Sequence, residues 1–130
     1  MFFACQLSDI PLDEVKRAEA IFINEGQFFG DLKETVLNWC ENLGKHIYIV
    51  GLDGDRHRNK FGQLLDLIPF ADYYEKLHAK CILCRDGTDA IFTFDQSTNT
   101  NLSQTQIVVG TDQYLPLCRK HYLTCSHTSQ

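Results

Sequence analysis

The feature that most narrows the fold is a pair of short apolar runs flanking one helical stretch. Ala20-Ile21-Phe22-Ile23 is followed, past a polar turn, by Leu32, Val36, Leu37, Cys40 and Leu43 at helical spacing. A second apolar run then spans residues 46–52. Runs this short and rich in β-branched residues read as strands buried on both faces, as in a parallel sheet. Asp31 stands where a helix cap belongs, and Gly44 where a helix-ending glycine belongs. Strand, helix and strand with short joints form a βαβ unit, with parallel strands and a right-handed crossover. Glu25 and Asp53 therefore emerge at one edge of the sheet, where open α/β sheets bind ligands. A carboxylate at that edge, beside Phe28 and Phe29, suits a general base next to a planar ligand. The competing reading makes Glu25 a solvated loop residue.

The remaining elements are shorter. Residues 2–7 read as a buried strand and 12–19 as a helix after Pro11, with residues 61–67 helical up to a break near Pro69. Residues 71–78 read as a turn of helix and then a strand leading to Cys81. Residues 89–95 alternate in strand fashion and 106–109 form a short β run. The Ser/Thr/Asn-rich stretch between them, 96–105, reads as a mobile loop. Trp39 and Cys40 are expected in or near the core, and Cys5 and Cys40 as plain small hydrophobes.

Composition excludes several functions. A net charge of −5 and a pI near 5.4 lack the basic footprint of sequence-independent nucleic-acid binding, so no direct nucleic-acid contact is expected. No segment approaches the roughly 18–20 apolar residues of a membrane span. The N-terminus lacks the basic region of a signal peptide. A cytoplasmic location is the expectation, and in a reducing compartment a C-x-x-C spacing favours metal over disulfide.

Two such knuckles are present: Cys81-x-x-Cys84 and Cys118-x-x-His121. A two-residue gap lets both side chains of a tight turn reach one tetrahedral ion, so the four donors suit a closed, structural zinc site. Cys125 and His127 are nearby alternatives to His121. The 33 residues between Cys84 and Cys118 exceed a plain zinc ribbon and must enclose a larger structure.

Ile23-Asn24-Glu25-Gly26-Gln27-Phe28-Phe29 resembles the I-D-E-G-Q-F-F segment of the type II, zinc-containing thymidine kinases. Leu52-Asp53-Gly54 through Arg58 and Phe61-Gly62 resembles that family's L-D-G-x-x-x-R-x-x-F-G, and the two knuckles are similar to its zinc site. The resemblance implies a partial P-loop-type (RecA-like) α/β sheet with flanking helices over residues 1–78. A zinc-binding hairpin and lasso subdomain would follow over 79–130. It implies phosphoryl transfer from ATP to the 5′-hydroxyl of deoxythymidine, in deoxyribonucleoside salvage for DNA synthesis, by a homo-oligomer that is commonly a tetramer. Glu25 would be the base, Asn24 would stand near magnesium, and Arg58 near phosphate. Gln27, Phe28, Leu52, Phe61 and Tyr114 would hold the nucleoside. The lasso Val108-Val109-Gly110-Thr111-Asp112 would read the base edge, with Val109 where the family usually has glycine. Family members carry Cys or His at the position of His121.

Two departures stand out. The family's aspartate before the base is Asn24 here, which keeps an acceptor but removes a negative charge from the magnesium site. The 130 residues contain no G-x-x-x-x-G-K-[ST], the loop whose backbone donors and lysine cradle phosphates. In the family it lies upstream of every motif found here, so an N-terminally truncated product is expected. The alternatives are a non-catalytic zinc- and nucleoside-binding remnant, a partner subunit of a full-length kinase, and an unrelated zinc-ribbon adaptor.

Overall fold

β1 (Ala20–Ile23) and β2 (His46–Ile49) pair in parallel, Ala20 opposite His46 and Ile23 opposite Ile49, in a computed structural model that describes residues 1–96 and 114–127. Between them lies the expected helix, α2 (Leu32–Leu37). Its last turns widen into a π-helical segment, Asn38–Asn42, in which the Leu43 N–H reaches back to the Asn38 carbonyl at 3.2 Å. Gly44, with φ +64°, ends the helix as its position predicts. The chain is thus a small α/β structure with short parallel and antiparallel sheets.

The strands are not buried on both faces. Ile21, Ile23, Ile47 and Ile49 turn to the core, whereas Phe22 and Tyr48 are 77% and 55% exposed. Their rings stack against each other, centroids 4.8 Å apart. An uninterrupted apolar run hides the two-residue period of a strand, and only the covered face reveals it.

Two compact units make up the chain. The first comprises Met1–Asp55 and Asn59–Tyr74, the second Arg56–Arg58 and the chain from Glu75 onward. Leu7, Val15, Ile23, Leu32, Val36, Trp39 and Leu67 form the first core. Burying each such side chain contributes about 1.5–3 kcal/mol. α1 (Leu12–Arg17) supplies Val15.

Several elements differ from the sequence reading. Residues 2–7 form no strand. Phe2 and Phe3 are exposed, and a 3-10 turn at Leu7–Asp9 follows. Asp31 makes no side-chain cap on α2. Its carboxylate accepts the Leu7 and Ser8 N–H groups at 3.1 and 2.8 Å, docking that turn. Cys40 is exposed, as is Cys5, because the π-helical widening points Trp39 rather than Cys40 inward. The helix after Gly62 is a 3-10 segment, Leu64–Phe70, that includes Pro69. Residues 71–78 hold no helix. Tyr73, Tyr74 and Leu77 are exposed there, so no apolar face is available to stabilise one.

In the second unit β3 (Ala79–Lys80) pairs with β4 (Asp89–Ala90), and β5 (Phe92–Asp95) with β6 (Tyr114–Leu117), both antiparallel. α3 (Arg119–His127) follows β6 directly. Cys81, Ala90, Phe94, Leu115, Leu117, Cys118, Tyr122 and Cys125 form the second core. The expected strand at 106–109, nearly all of the 96–105 loop and the lasso residues Val108, Val109, Gly110, Thr111 and Asp112 lie outside the described residues.

Candidate active site and metal centre

Parallel pairing brings the turns after β1 and β2 to one sheet edge. The Val50 N–H donates to the Ile23 carbonyl and the Gly26 N–H to the Val50 carbonyl, each at 3.0 Å, fixing the first turn against the second. Glu25 takes φ +54°, in the left-handed region, and leads into a 3-10 turn, Gly26–Phe28. A non-glycine residue there carries roughly 1–2 kcal/mol of backbone strain, held by the surrounding hydrogen bonds.

Gln27 is the centre of this edge. Only 5% exposed, it donates from Nε2 to Glu25 Oε2 at 2.6 Å. Its Oε1 accepts the Leu52 N–H at 3.0 Å. Two glycines make room for it. A Cβ on Gly51 would stand 2.3 Å from Gln27 Oε1, and one on Gly62 would stand 2.2 Å from the Gln27 carbonyl oxygen. Gln27, expected to contact substrate, spends these side-chain atoms on aiming the Glu25 carboxylate and holding Leu52.

Most of the other expected residues are exposed in their own units. Phe28 is 67% exposed and meets Phe61 edge to face, centroids 5.4 Å apart at 80°. Asn24 and Leu52 are exposed beside their strands, and Tyr114 is exposed on β6 in the second unit. A carboxylate aimed by an amide, next to a solvent-facing ring, can accept a proton from a hydroxyl held by stacking. A cavity of about 820 Å³ in the same unit is lined by Phe3, Leu7, Val15, Phe22, Asn24 and Trp39 among others, and its lining does not include Glu25.

After Asp53 the chain forms a loop whose stem closes on itself. The Phe61 N–H donates to Asp53, and Asp55 and Asn59 are joined by two hydrogen bonds of 2.9 Å. The tip, Arg56–Arg58, belongs to the second unit. Arg58, expected at phosphate, has φ +65° and its guanidinium lies 4.9 Å from the Tyr122 ring and 5.4 Å from Phe92. Arg56 pairs with the buried carboxylate of Asp95 at 2.6 Å, and Lys60 pairs with Asp66 at 2.8 Å.

The second unit also gathers both knuckles. The β3–β4 connection carries Cys81 and Cys84, while Cys118 and His121 bracket the start of α3. Their donor atoms all lie within 4.8 Å of one another. His121 Nδ1 stands 3.5, 3.3 and 3.4 Å from the sulfurs of Cys81, Cys84 and Cys118, and Cys84 Sγ is 3.7 Å from Cys118 Sγ. A tetrahedron with zinc–sulfur and zinc–nitrogen bonds of about 2.3 and 2.0 Å has edges of roughly 3.5–3.8 Å. The donor set fits such an ion. Burial alone would raise the Cys81 thiol, but the backbone N–H groups of Cys118 and Cys84, with the His121 side chain, outweigh it and bring it to about 6. Desolvation and the neighbouring Cys81 and Cys118 thiols push Cys84 up to about 11. The hydrogen bonds that lower Cys81 favour the thiolate, the form that binds a cation. Cys125 is buried in the core beside this cluster and is not one of the four.

Comparison with known proteins bears on this arrangement. The thymidine kinase family model matches residues 4–122. The chain belongs to the thymidine kinase family. It is 43% identical over 113 residues to thymidine kinase a of Arabidopsis thaliana, covering 87% of this chain and 45% of that protein. It is 37% identical over 123 residues to the thymidine kinase of a Variola virus isolate, covering 92% and 64%. The cytosolic thymidine kinase of Bos taurus is 34% identical over 122 residues, covering 92% and 47%. The chain therefore spans about half the length of the curated relatives it matches, and somewhat more of the viral one.

Sequence reasoning gave Gln27 to the substrate rather than to Glu25, and it missed Asp95 and Tyr122 of this family member altogether. Gln27 holds Glu25, Asp95 holds Arg56, and Tyr122 donates its hydroxyl to the Arg56 carbonyl at 2.9 Å. No local pattern signals a buried polar partner tens of residues away. The Gly62 of a motif ending in Phe-Gly was the one available hint that a backbone approaches closely there.

Proposed function

We propose that this chain carries the nucleoside-binding edge and structural zinc site of a thymidine kinase, which transfers the γ-phosphoryl of ATP to the 5′-hydroxyl of deoxythymidine. The observation that carries this reading is the chain of hydrogen bonds from Leu52 through Gln27 to Glu25, at the carboxyl edge of two parallel strands, in a member of this family. Glu25 takes the proton of the attacking hydroxyl, and the exposed ring of Phe28, backed by Phe61, stacks on the pyrimidine with Leu52 beside it. Val108–Asp112 and Tyr114 are assigned to the base, and Arg58 to phosphate, on the family resemblance alone.

Residues 1–78 are read as the C-terminal part of a RecA-like kinase domain and 79–130 as its zinc and lasso subdomain. Zinc, held by Cys81, Cys84, Cys118 and His121, supplies cross-linking between the knuckles and no chemistry of the transfer. Magnesium enters with ATP near Asn24, where an amide in place of a carboxylate weakens its hold. No helix among the described residues is long and apolar enough to cross a membrane, and the reading places the protein in the cytoplasm as a homo-oligomer.

Calorimetric titration of residues 1–130 with deoxythymidine tests this. Saturable binding, weakened about tenfold or more by Phe28→Ala through loss of one stacking contact, is expected. A folded chain that binds no deoxythymidine overturns the nucleoside assignment. Incubation with ATP, magnesium and labelled deoxythymidine then separates the readings. Product above background that disappears in Glu25→Gln places the chemistry within these residues, and its absence favours the non-catalytic, nucleoside-binding alternative.

A further inference from the structure

We propose that the loop tip Arg56–Arg58 is a latch that the metal centre holds closed, with Tyr122 as its positioning residue. The inference rests on reading the four donors as a metal site. Three residues from the middle of a loop belong to the metal-bearing unit, although the residues on either side belong to the other. The contacts of the tip explain why. The Tyr122 hydroxyl donates to the Arg56 carbonyl at 2.9 Å. The Arg58 guanidinium lies 4.9 Å from the Tyr122 ring and 5.4 Å from Phe92. Arg56 reaches the buried Asp95 carboxylate at 2.6 Å.

Two of these four contacts converge on Tyr122, and the metal ligands set its place. Tyr122 directly follows His121, and its N–H donates to the Cys118 carbonyl at 2.9 Å. An ion bound by Cys118 and His121 therefore clamps the turn of α3 that carries Tyr122. Its ring is lodged against Phe92 at 5.0 Å and Phe94 at 6.1 Å, which leaves the hydroxyl pointing at the tip. Arg58 itself sits in the left-handed region, φ +65°, a conformation that a non-glycine residue keeps only while its surroundings impose it. The tip residues are exposed, so anchoring rather than burial keeps them ordered. Once the ion leaves, the Arg56–Asp95 pair remains, but the Tyr122 anchor loosens and Arg58 loses its platform.

Limited trypsin digestion of residues 1–130, with zinc content followed by elemental analysis, tests the proposal. Proteases need a locally unfolded segment, so cleavage after Arg56 and Arg58 should be slow in the zinc-loaded protein and about tenfold faster after chelation. Added zinc should restore protection. Tyr122→Phe, which keeps the ring and core packing but lacks the hydroxyl, should speed tip cleavage while zinc stays bound. If chelation opens Arg85 and Arg119 to trypsin but leaves the tip rate unchanged, the latch is wrong and the metal site stands. If the folded chain holds no zinc, both fall together. Equal tip cleavage in Tyr122→Phe and the parent protein removes Tyr122 from the role.

Discussion

Gln27 holds Glu25 in place: its side-chain N–H donates to the carboxylate at 2.6 Å while its carbonyl oxygen takes the Leu52 N–H at 3.0 Å. Replacing it by Leu keeps the volume but deprives the Leu52 N–H of its acceptor. Loss of about 1–3 kcal/mol is expected in urea denaturation. Glu25→Gln, at an exposed position, should change stability by no more than about 0.5 kcal/mol. Equal costs for the two variants would contradict the division of labour between them.

Gly62 lets the same glutamine in. Its φ of +61° disfavours any side chain, and an added Cβ would lie 2.2 Å from the Gln27 carbonyl oxygen, a backbone atom that cannot swing aside. Gly62→Ala should cost at least about 2 kcal/mol through strain and overpacking. At Gly30, where a Cβ meets nothing within 4 Å, the same change should be close to neutral. Thermal melts of the two variants make the comparison.

Metal removal should act on one unit first. Trp39 is the single tryptophan and is buried in the first core, so its emission reports only on that unit. Chelation is expected to raise amide exchange over residues 81–95 and 115–125 while Trp39 emission stays native. Cys81→Ser should lose most of the roughly one equivalent of zinc, since a hydroxyl is a poor replacement for a thiolate ligand. Simultaneous loss of both signals would mean that the first unit depends on the metal as well.

Acid should release the N-terminal turn before the cores. Burial would raise the Asp31 carboxyl, but the Ser8 and Leu7 N–H groups it accepts outweigh that and hold it below its ordinary 3.8. A lowered carboxyl contributes stability that is complete above its unfolded value and lost as pH falls through the folded one. Protection of the Leu7 and Ser8 amides, relative to their intrinsic exchange rates at each pH, should therefore persist through the ordinary carboxylate range and be lost only below it. In Asp31→Ala that protection should be absent at every pH, at a cost of about 1–2 kcal/mol.

What the chain itself disclosed follows a physical divide. Gly44 and the parallel βαβ pairing were readable because backbone conformation and hydrophobic period are local properties. The two knuckles were readable because a tetrahedral ion demands short, fixed spacing. The exposure of Phe22 and Tyr48 was not, since four apolar residues in a row look alike whether one face or two is covered. Asp31 was read as a cap because capping is the local use of an aspartate before a helix, yet its partners lie at Leu7 and Ser8. Arg58 illustrates the same limit: the family resemblance suggests a phosphate, and nothing nearby in sequence announces the rings of Phe92 and Tyr122.

The stacked pair Phe22–Tyr48 has a practical side. Two large rings facing water on a sheet that has two strands among the described residues give passing chains both a greasy landing and backbone groups to zip onto. Concentrated preparations of these 130 residues should clump unless a mild detergent or a charged replacement at Phe22 shields that plane.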